Sequence, residues 1–98
     1  KPLEGIYAAV ARRRADGSPG PNGWYPENKL TMAETIRGYT EGPAYAAGME
    51  RELGKLAPGY WADLVLWGMD LYAAAPDELL DARVLGTMTG GVWRYGGV

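Results

Sequence analysis

Few side chains in this chain can do chemistry, and two of the most useful kinds are missing. The 98 residues contain no His and no Cys. Without imidazole there is no usual general base, no usual zinc ligand and no serine-histidine triad. Without thiols there are no disulfides, thiolate metal sites or cysteine nucleophiles. Catalysis would have to rest on carboxylates, Lys, Tyr or Ser. Ser18 is the single serine, in a loop with no candidate base beside it. Glu50 with Glu52, and Asp77 with Glu78 and Asp81, are grouped acids of the type used in glycoside hydrolysis or calcium binding. The EF-hand spacing is absent and the acids lie in polar connecting segments, so a solvated face is the expected reading. Asp63 precedes an apolar run, where its expected role is to accept hydrogen bonds from turn N–H groups. Arg12, Arg13 and Arg14 read as the basic complement of a helix C-terminus, with a phosphate patch as the alternative. No catalytic residue and no metal ligand is assigned.

Aromatic bulk comes from 4 Trp and 7 Tyr with no Phe, so it always carries a polar handle. Trp24, Tyr25, Trp61 and Trp93 are the candidate stacking residues of a sugar- or peptide-binding surface. Trp24 and Tyr25 fall in a loop, which their rings either pin to the body or present as a substrate-facing lid. The net charge of -2 gives no basic excess for a nucleic-acid partner. No apolar run approaches the ~18 residues of a membrane span. A chain without cysteine is compatible with any compartment; the cytoplasm is the working expectation.

The elements that must position these residues are helical first and extended afterwards, the pattern of an α+β domain or of pieces of two domains. Leu3, Ile6, Tyr7 and Val10 at helical spacing predict a helix over 2–14, with Glu4 at its positive end and the arginines at its negative end. Residues 15–28 are rich in turn formers and predict a loop whose glycines match no phosphate-binding motif. Thr31 with Glu34 predicts a capping box opening a second helix, with Met32, Ile36 and Tyr39 as its buried stripe. Gly42-Pro43 breaks that helix, and Pro43 opens a short turn through Ala47 that Gly48 can cap. Residues 53–56 predict a short strand, and Pro58-Gly59 a type II turn. Ala62–Trp67 is a compact apolar run, expected to be a strand buried on both faces. Asp77–Leu80 suggests one helical turn. Residues 83–89 and 92–95 predict strands joined by a two-residue Gly90-Gly91 hairpin.

Four segments, in order, resemble the amidohydrolase superfamily, and family 3 within it. Gly5–Arg13 resembles a G-I-Y-A-A-V-T-R segment, and Tyr39–Gly48 a Y-T-x-x-P-A-Y-A-x-G segment. Leu53–Leu66 resembles the signature G-x-L-x-P-G-x-x-A-D-L-V-V-L. Asp81–Gly91 resembles the terminal V-x-x-T-x-V-G-G hairpin. Trp61, Trp67 and Met88-Thr89 depart from the usual residues at positions that affect packing.

The resemblance implies a longer parent: a metal-dependent (β/α)8 barrel joined to a small composite β-sandwich, hydrolysing amide-type C–N bonds such as those of N-substituted formamides. It places residues 1–50 among the last barrel helices and 51–98 in the C-terminal half of the sandwich. The parent's divalent metal, expected to be zinc, is held by histidines, a lysine and an aspartate upstream of Lys1, and Lys1, Lys29 and Lys55 do not match the ligand lysine. The chain is then expected to be an inactive structural portion that holds no metal itself. Its partners would be the N-terminal remainder and, without that remainder, other copies of itself. The opening Lys1, in place of Met, fits this expectation. The alternative is a stand-alone aromatic-rich binding or protein-interaction module.

Overall fold

The computed structural model describes residues 2–14 and 16–97. It is a small α+β structure whose secondary-structure order is helices α1 (Pro2–Ala11), α2 (Met32–Tyr39) and α3 (Glu41–Ala46), then strands β1 (Leu64–Trp67), β2 (Val84–Thr89) and β3 (Val92–Gly96). Short 3-10 segments cover Pro26–Asn28 and Pro76–Asp81. Two compact units are formed, one from residues 1–36 and 69–82, the other from 37–68 and 83–98. No helix among the described residues is long and apolar enough to cross a membrane.

In the first unit, α1 begins with Pro2 in its first turn, where a missing N–H costs no hydrogen bond. It buries Ile6, Tyr7 and Ala11 and packs on the Pro76–Asp81 helix, whose Leu79 is 1% exposed. The helix is shorter than the predicted 2–14. Arg12 turns to φ 57 and its N–H donates to the Ala8 carbonyl at 2.9 Å. That single bond from a left-handed residue is a common way to stop a helix, although the residue is normally Gly. The arginines therefore lie beyond the last turn and do not complement the dipole as expected.

The Pro76–Asp81 helix is opened by Glu78, whose carboxylate accepts from the Ala75 N–H at 2.8 Å. The predicted box at Thr31 is present: the Thr31 N–H donates to Glu34 at 2.9 Å, and the Glu34 N–H donates to the Thr31 hydroxyl at 3.1 Å. The expected stripe of α2 is corrected, since Met32 and Ile36 are half-buried and Tyr39 is exposed. Thr35 is the buried residue instead, its hydroxyl donating to the Thr31 carbonyl at 2.9 Å.

In the second unit the break falls at Thr40, before the predicted Gly42-Pro43, and α3 already includes both of those residues. Gly48 at φ 73 ends α3. Its N–H donates to the Tyr45 carbonyl and that of Met49 to the Ala44 carbonyl, which together satisfy the last carbonyls of the helix. No strand forms over 53–56. Gly54 takes φ 97, and the Leu53 N–H turns back to the Met49 carbonyl at 2.9 Å. The Pro58-Gly59 turn is as predicted, closed by the Tyr60 N–H on the Ala57 carbonyl at 3.0 Å.

The sheet is an antiparallel meander in the order β1-β2-β3. Leu64 pairs with Met88 and Val65 with Thr87; Thr87 pairs with Tyr95 and Thr89 with Val92. The Gly90-Gly91 hairpin is confirmed, with φ of 56 and 79, the two positive values that a tight two-residue turn requires. Gly86 is a close approach: a Cβ there would lie 2.8 Å from the Trp93 ring and 2.7 Å from the Gly97 nitrogen. The expectation that β1 is buried on both faces is corrected. It has one neighbour in the sheet, and Val65 is 47% exposed.

Candidate functional site

The arginine run and the loop that follows form the most developed polar site of the first unit. Past α1 the chain returns on itself through backbone bonds. The Arg14 N–H donates to the Ser18 carbonyl at 2.8 Å, the Trp24 N–H to the Arg12 carbonyl at 2.6 Å, and the Leu30 N–H to the Ala9 carbonyl at 3.0 Å. The described part of the predicted loop is thus tied to α1 at both ends; Ala15 lies outside the described residues.

Each arginine has a different employment. Arg13 uses all three of its nitrogens. Nε donates to the Tyr7 hydroxyl and Nη1 to the Pro21 carbonyl, both at 2.9 Å, and Nη2 forms an ion pair with Asp77. The Tyr7 hydroxyl in turn donates to Asp77 at 3.2 Å. The hydroxyl first, and the carboxylate second, hold the Arg13 guanidinium above its ordinary range. Arg12 donates through Nε to the Trp24 carbonyl at 2.9 Å, and its guanidinium carbon lies 5.2 Å from the centre of the Trp24 rings. Arg14 is exposed. Trp24 meets Tyr25 edge to face at 4.7 Å, and the two remain 60% and 54% exposed. A cleft of about 470 Å³ is bounded by Ala8, the three arginines, Ser18, Pro19 and Trp24.

The remaining predicted residues fall elsewhere. Ser18 donates its hydroxyl to Asp16 at 2.7 Å, so it is a turn-forming serine. That hydroxyl, and then the Ser18 N–H, hold the Asp16 carboxyl below its ordinary range. Asp77 and Glu78 are exposed, as the solvated-face reading expects, and in addition Asp77 joins the Arg13 cluster and Glu78 the helix start described above. Asp63 accepts from the Gly90 N–H at 2.7 Å, the turn-binding role expected of it. Trp93 is half-buried against Gly86 and Gly97, while Trp61 is exposed beside Gly90. Among the described residues, no group of three or more His, Cys, Asp or Glu side chains is placed to hold a metal ion. Lys1 lies outside them. Sequence reasoning missed the Tyr7–Arg13–Asp77 cluster, because 64 residues separate Arg13 from Asp77 and no local motif joins them.

The sequence profile of the amidohydrolase family matches residues 1–95, and the chain belongs to that family. It is 36% identical over 94 residues to the N-substituted formamide deformylase of Arthrobacter pascens, covering 96% of this chain and 17% of that one. It is 39% identical over 79 residues to the putative amidohydrolase YtcJ of Bacillus subtilis (strain 168), covering 80% of this chain and 15% of the relative. The chain therefore spans about a sixth of the length of these curated relatives. No solved structure matches it.

The family is metal-dependent in general, and the described residues do not fit its metal. Carboxylates dispersed one or two to a turn, without imidazole or thiolate, do not make a transition-metal site.

Proposed function

We propose that this chain is the C-terminal structural portion of a metal-dependent amidohydrolase that hydrolyses non-peptide C–N bonds, with N-substituted formamides as the substrate class. The observation that carries the proposal is the match along residues 1–95 to a family whose curated relatives are about six times longer, in a chain with no imidazole or thiolate. In this reading residues 1–50 close the catalytic barrel and 51–98 complete the sandwich. The metal and the reacting groups come from the N-terminal remainder, which is the chain's partner. The half-exposed β1 supports a surface awaiting cover, by that remainder or by a second copy.

A chimaera tests this. The segment of the Arthrobacter pascens deformylase that matches residues 2–95 is replaced by this chain. The chimaera is expected to hold divalent metal through dialysis and to hydrolyse an N-substituted formamide. The 98-residue chain alone is expected to do neither. About one equivalent of zinc retained by the chain alone would overturn the proposal, as would a folded chimaera without activity.

A second reading, an aromatic-rich binding module, is favoured by the exposure of Trp24, Tyr25 and Trp61. Light scattering separates the two. Self-association of the lone chain supports the structural portion, and a clean monomer supports the module.

A further inference from the structure

Trp24 sits where two unusual backbone conformations meet. Among the described residues, Arg12 and Tyr25 are the non-glycine positions with positive φ, at 57 and 49. Arg12 pairs with the Trp24 backbone and Tyr25 follows it directly. Such conformations are sterically unfavourable for L-residues and cluster where a chain presents something to a ligand. Glycine at position 12 would stop α1 with less strain, yet it would carry no guanidinium.

What this backbone presents is positive charge beside an open ring. Arg13 is paired with Asp77, and each of its three nitrogens already has a protein acceptor. Arg12 engages only Nε, so neither of its Nη groups has a protein partner among the described residues. Arg14 makes no ion pair among the described residues either. Asp16 lies near Arg14, but its carboxylate is engaged by the hydroxyl and N–H of Ser18. No acidic side chain lines the cleft; its other walls are Ala8, Pro19 and the largely exposed Trp24. A planar guanidinium with a free Nη pair has the geometry to bind two oxygens at once, and the fold holds this one against an indole.

We propose that the cleft bounded by Arg12, Arg14, Ser18 and Trp24 binds a small oxyanion, either a carboxylate carried on a planar group or a phosphate. The Arg12 fork and the Arg14 charge hold the oxygens, and Trp24 with Pro19 covers the attached group. This site needs no metal and does not depend on the hydrolytic reading above.

The test is titration of the 98-residue chain with benzoate, benzamide and inorganic phosphate, followed by NMR of the Trp24 indole N–H. Benzoate is expected to saturate, and benzamide, with the same ring and no charge, to bind at least about tenfold more weakly. Arg12→Gly suits the left-handed backbone and keeps the fold, checked by an unchanged melting temperature. It is expected to weaken benzoate about tenfold, and Arg14→Ala several-fold. Benzoate tighter than phosphate assigns a planar carboxylate; the reverse order assigns a phosphate group. Equal binding of benzoate and benzamide overturns the proposal. So does undiminished oxyanion binding in the Arg12→Gly, Arg14→Ala double variant, or no saturable shift with either anion.

Discussion

In the unit of residues 1–36 and 69–82, side chains are withdrawn from water: Ile6, Tyr7, Ala11, Thr35, Leu71 and Leu79 are all buried. In the unit of residues 37–68 and 83–98, Ala44 is the one hydrophobic side chain buried to that degree among the described residues. This second unit is organised by backbone: a three-stranded ladder, a glycine hairpin, a capped helix end and a proline-glycine turn. Its apolar residues Val65, Leu85, Val92 and Tyr95 stay largely exposed. The contrast separates two sources of order. Apolar burial supplies most of the driving force of folding, whereas ladder and turn bonds mainly choose a conformation, because water offers competing partners. The first unit has a core of its own, and the second has a well-specified backbone in search of one.

Truncation should expose the contrast most strongly. Leu79→Ala removes a side chain that is 1% exposed and should cost about 2–5 kcal/mol. Leu85→Ala, at 48% exposure on β2, should stay within about 1 kcal/mol. Urea midpoints of the two variants measure both. Equal losses would break the comparison and mean that Leu85 is covered in solution. If the loss at Leu85 grows with protein concentration, the cover is another copy of the chain.

The same contrast governs what was legible in the sequence. Thr31 with Glu34, Ala57 to Tyr60, Gly48 and Gly90-Gly91 were readable because each is a local rule, written in residues a few positions apart. Asp63 was readable for a related reason: a carboxylate before an apolar strand needs N–H donors, and the hairpin supplies one. Local signals were wrong where a distant partner decided the outcome. Arg12 turns out of α1 where Trp24, twelve residues on, meets its backbone and its guanidinium. Asp77 is the solvated acid its local sequence suggests, but its partners Arg13 and Tyr7 are brought to it only by the fold. Leu53 looked like a strand because the pattern of apolar residues does not reveal that Gly54 turns left-handed over α3. The family was legible from four ordered motifs, while the cleft was visible only as an arginine run whose members differ in the fold: Arg12 holds Trp24, Arg13 holds Tyr7 and Asp77, and Arg14 is exposed.

A smaller effect sharpens the local side of the comparison. Thr31→Ala deletes one half of the capping box and should destabilise by about 1 kcal/mol in thermal or urea unfolding at neutral pH. Its pH dependence is informative. The Thr31 N–H, and then the Thr31 hydroxyl, hold the Glu34 carboxyl below its ordinary value of 4.5 in the folded chain. A depressed carboxyl stabilises the fold in full above its unfolded value, and that contribution is lost as pH falls through the folded one. Asp16 behaves in the same way from 3.8, through Ser18. Stability should therefore begin to decline as pH drops below 4.5, and Thr31→Ala should decline somewhat less steeply because the hydroxyl, the second of the two causes, is gone while the Thr31 N–H remains. Identical acid profiles for the two proteins would show that the box carries none of the acid sensitivity.

The smallest change is expected where two opposing effects meet, at Arg12. A left-handed conformation costs an L-residue about 1–2 kcal/mol, and glycine escapes most of that cost. Arg12 recovers some of it through the Trp24 carbonyl and the Trp24 ring, contacts of about 0.5–1.5 kcal/mol each at a surface. Arg12→Gly should accordingly leave stability within about 0.5 kcal/mol of the parent chain. Arg12→Ala keeps the strain and loses both contacts, so it should be less stable than Arg12→Gly by about 1 kcal/mol. The difference between the two variants isolates the backbone, since neither carries a guanidinium. Equal stability of the glycine and alanine variants would mean that position 12 relaxes out of the left-handed region once its side chain lets go of Trp24. The backbone turn that ends α1 would then be a consequence of the Arg12–Trp24 contact and not its scaffold.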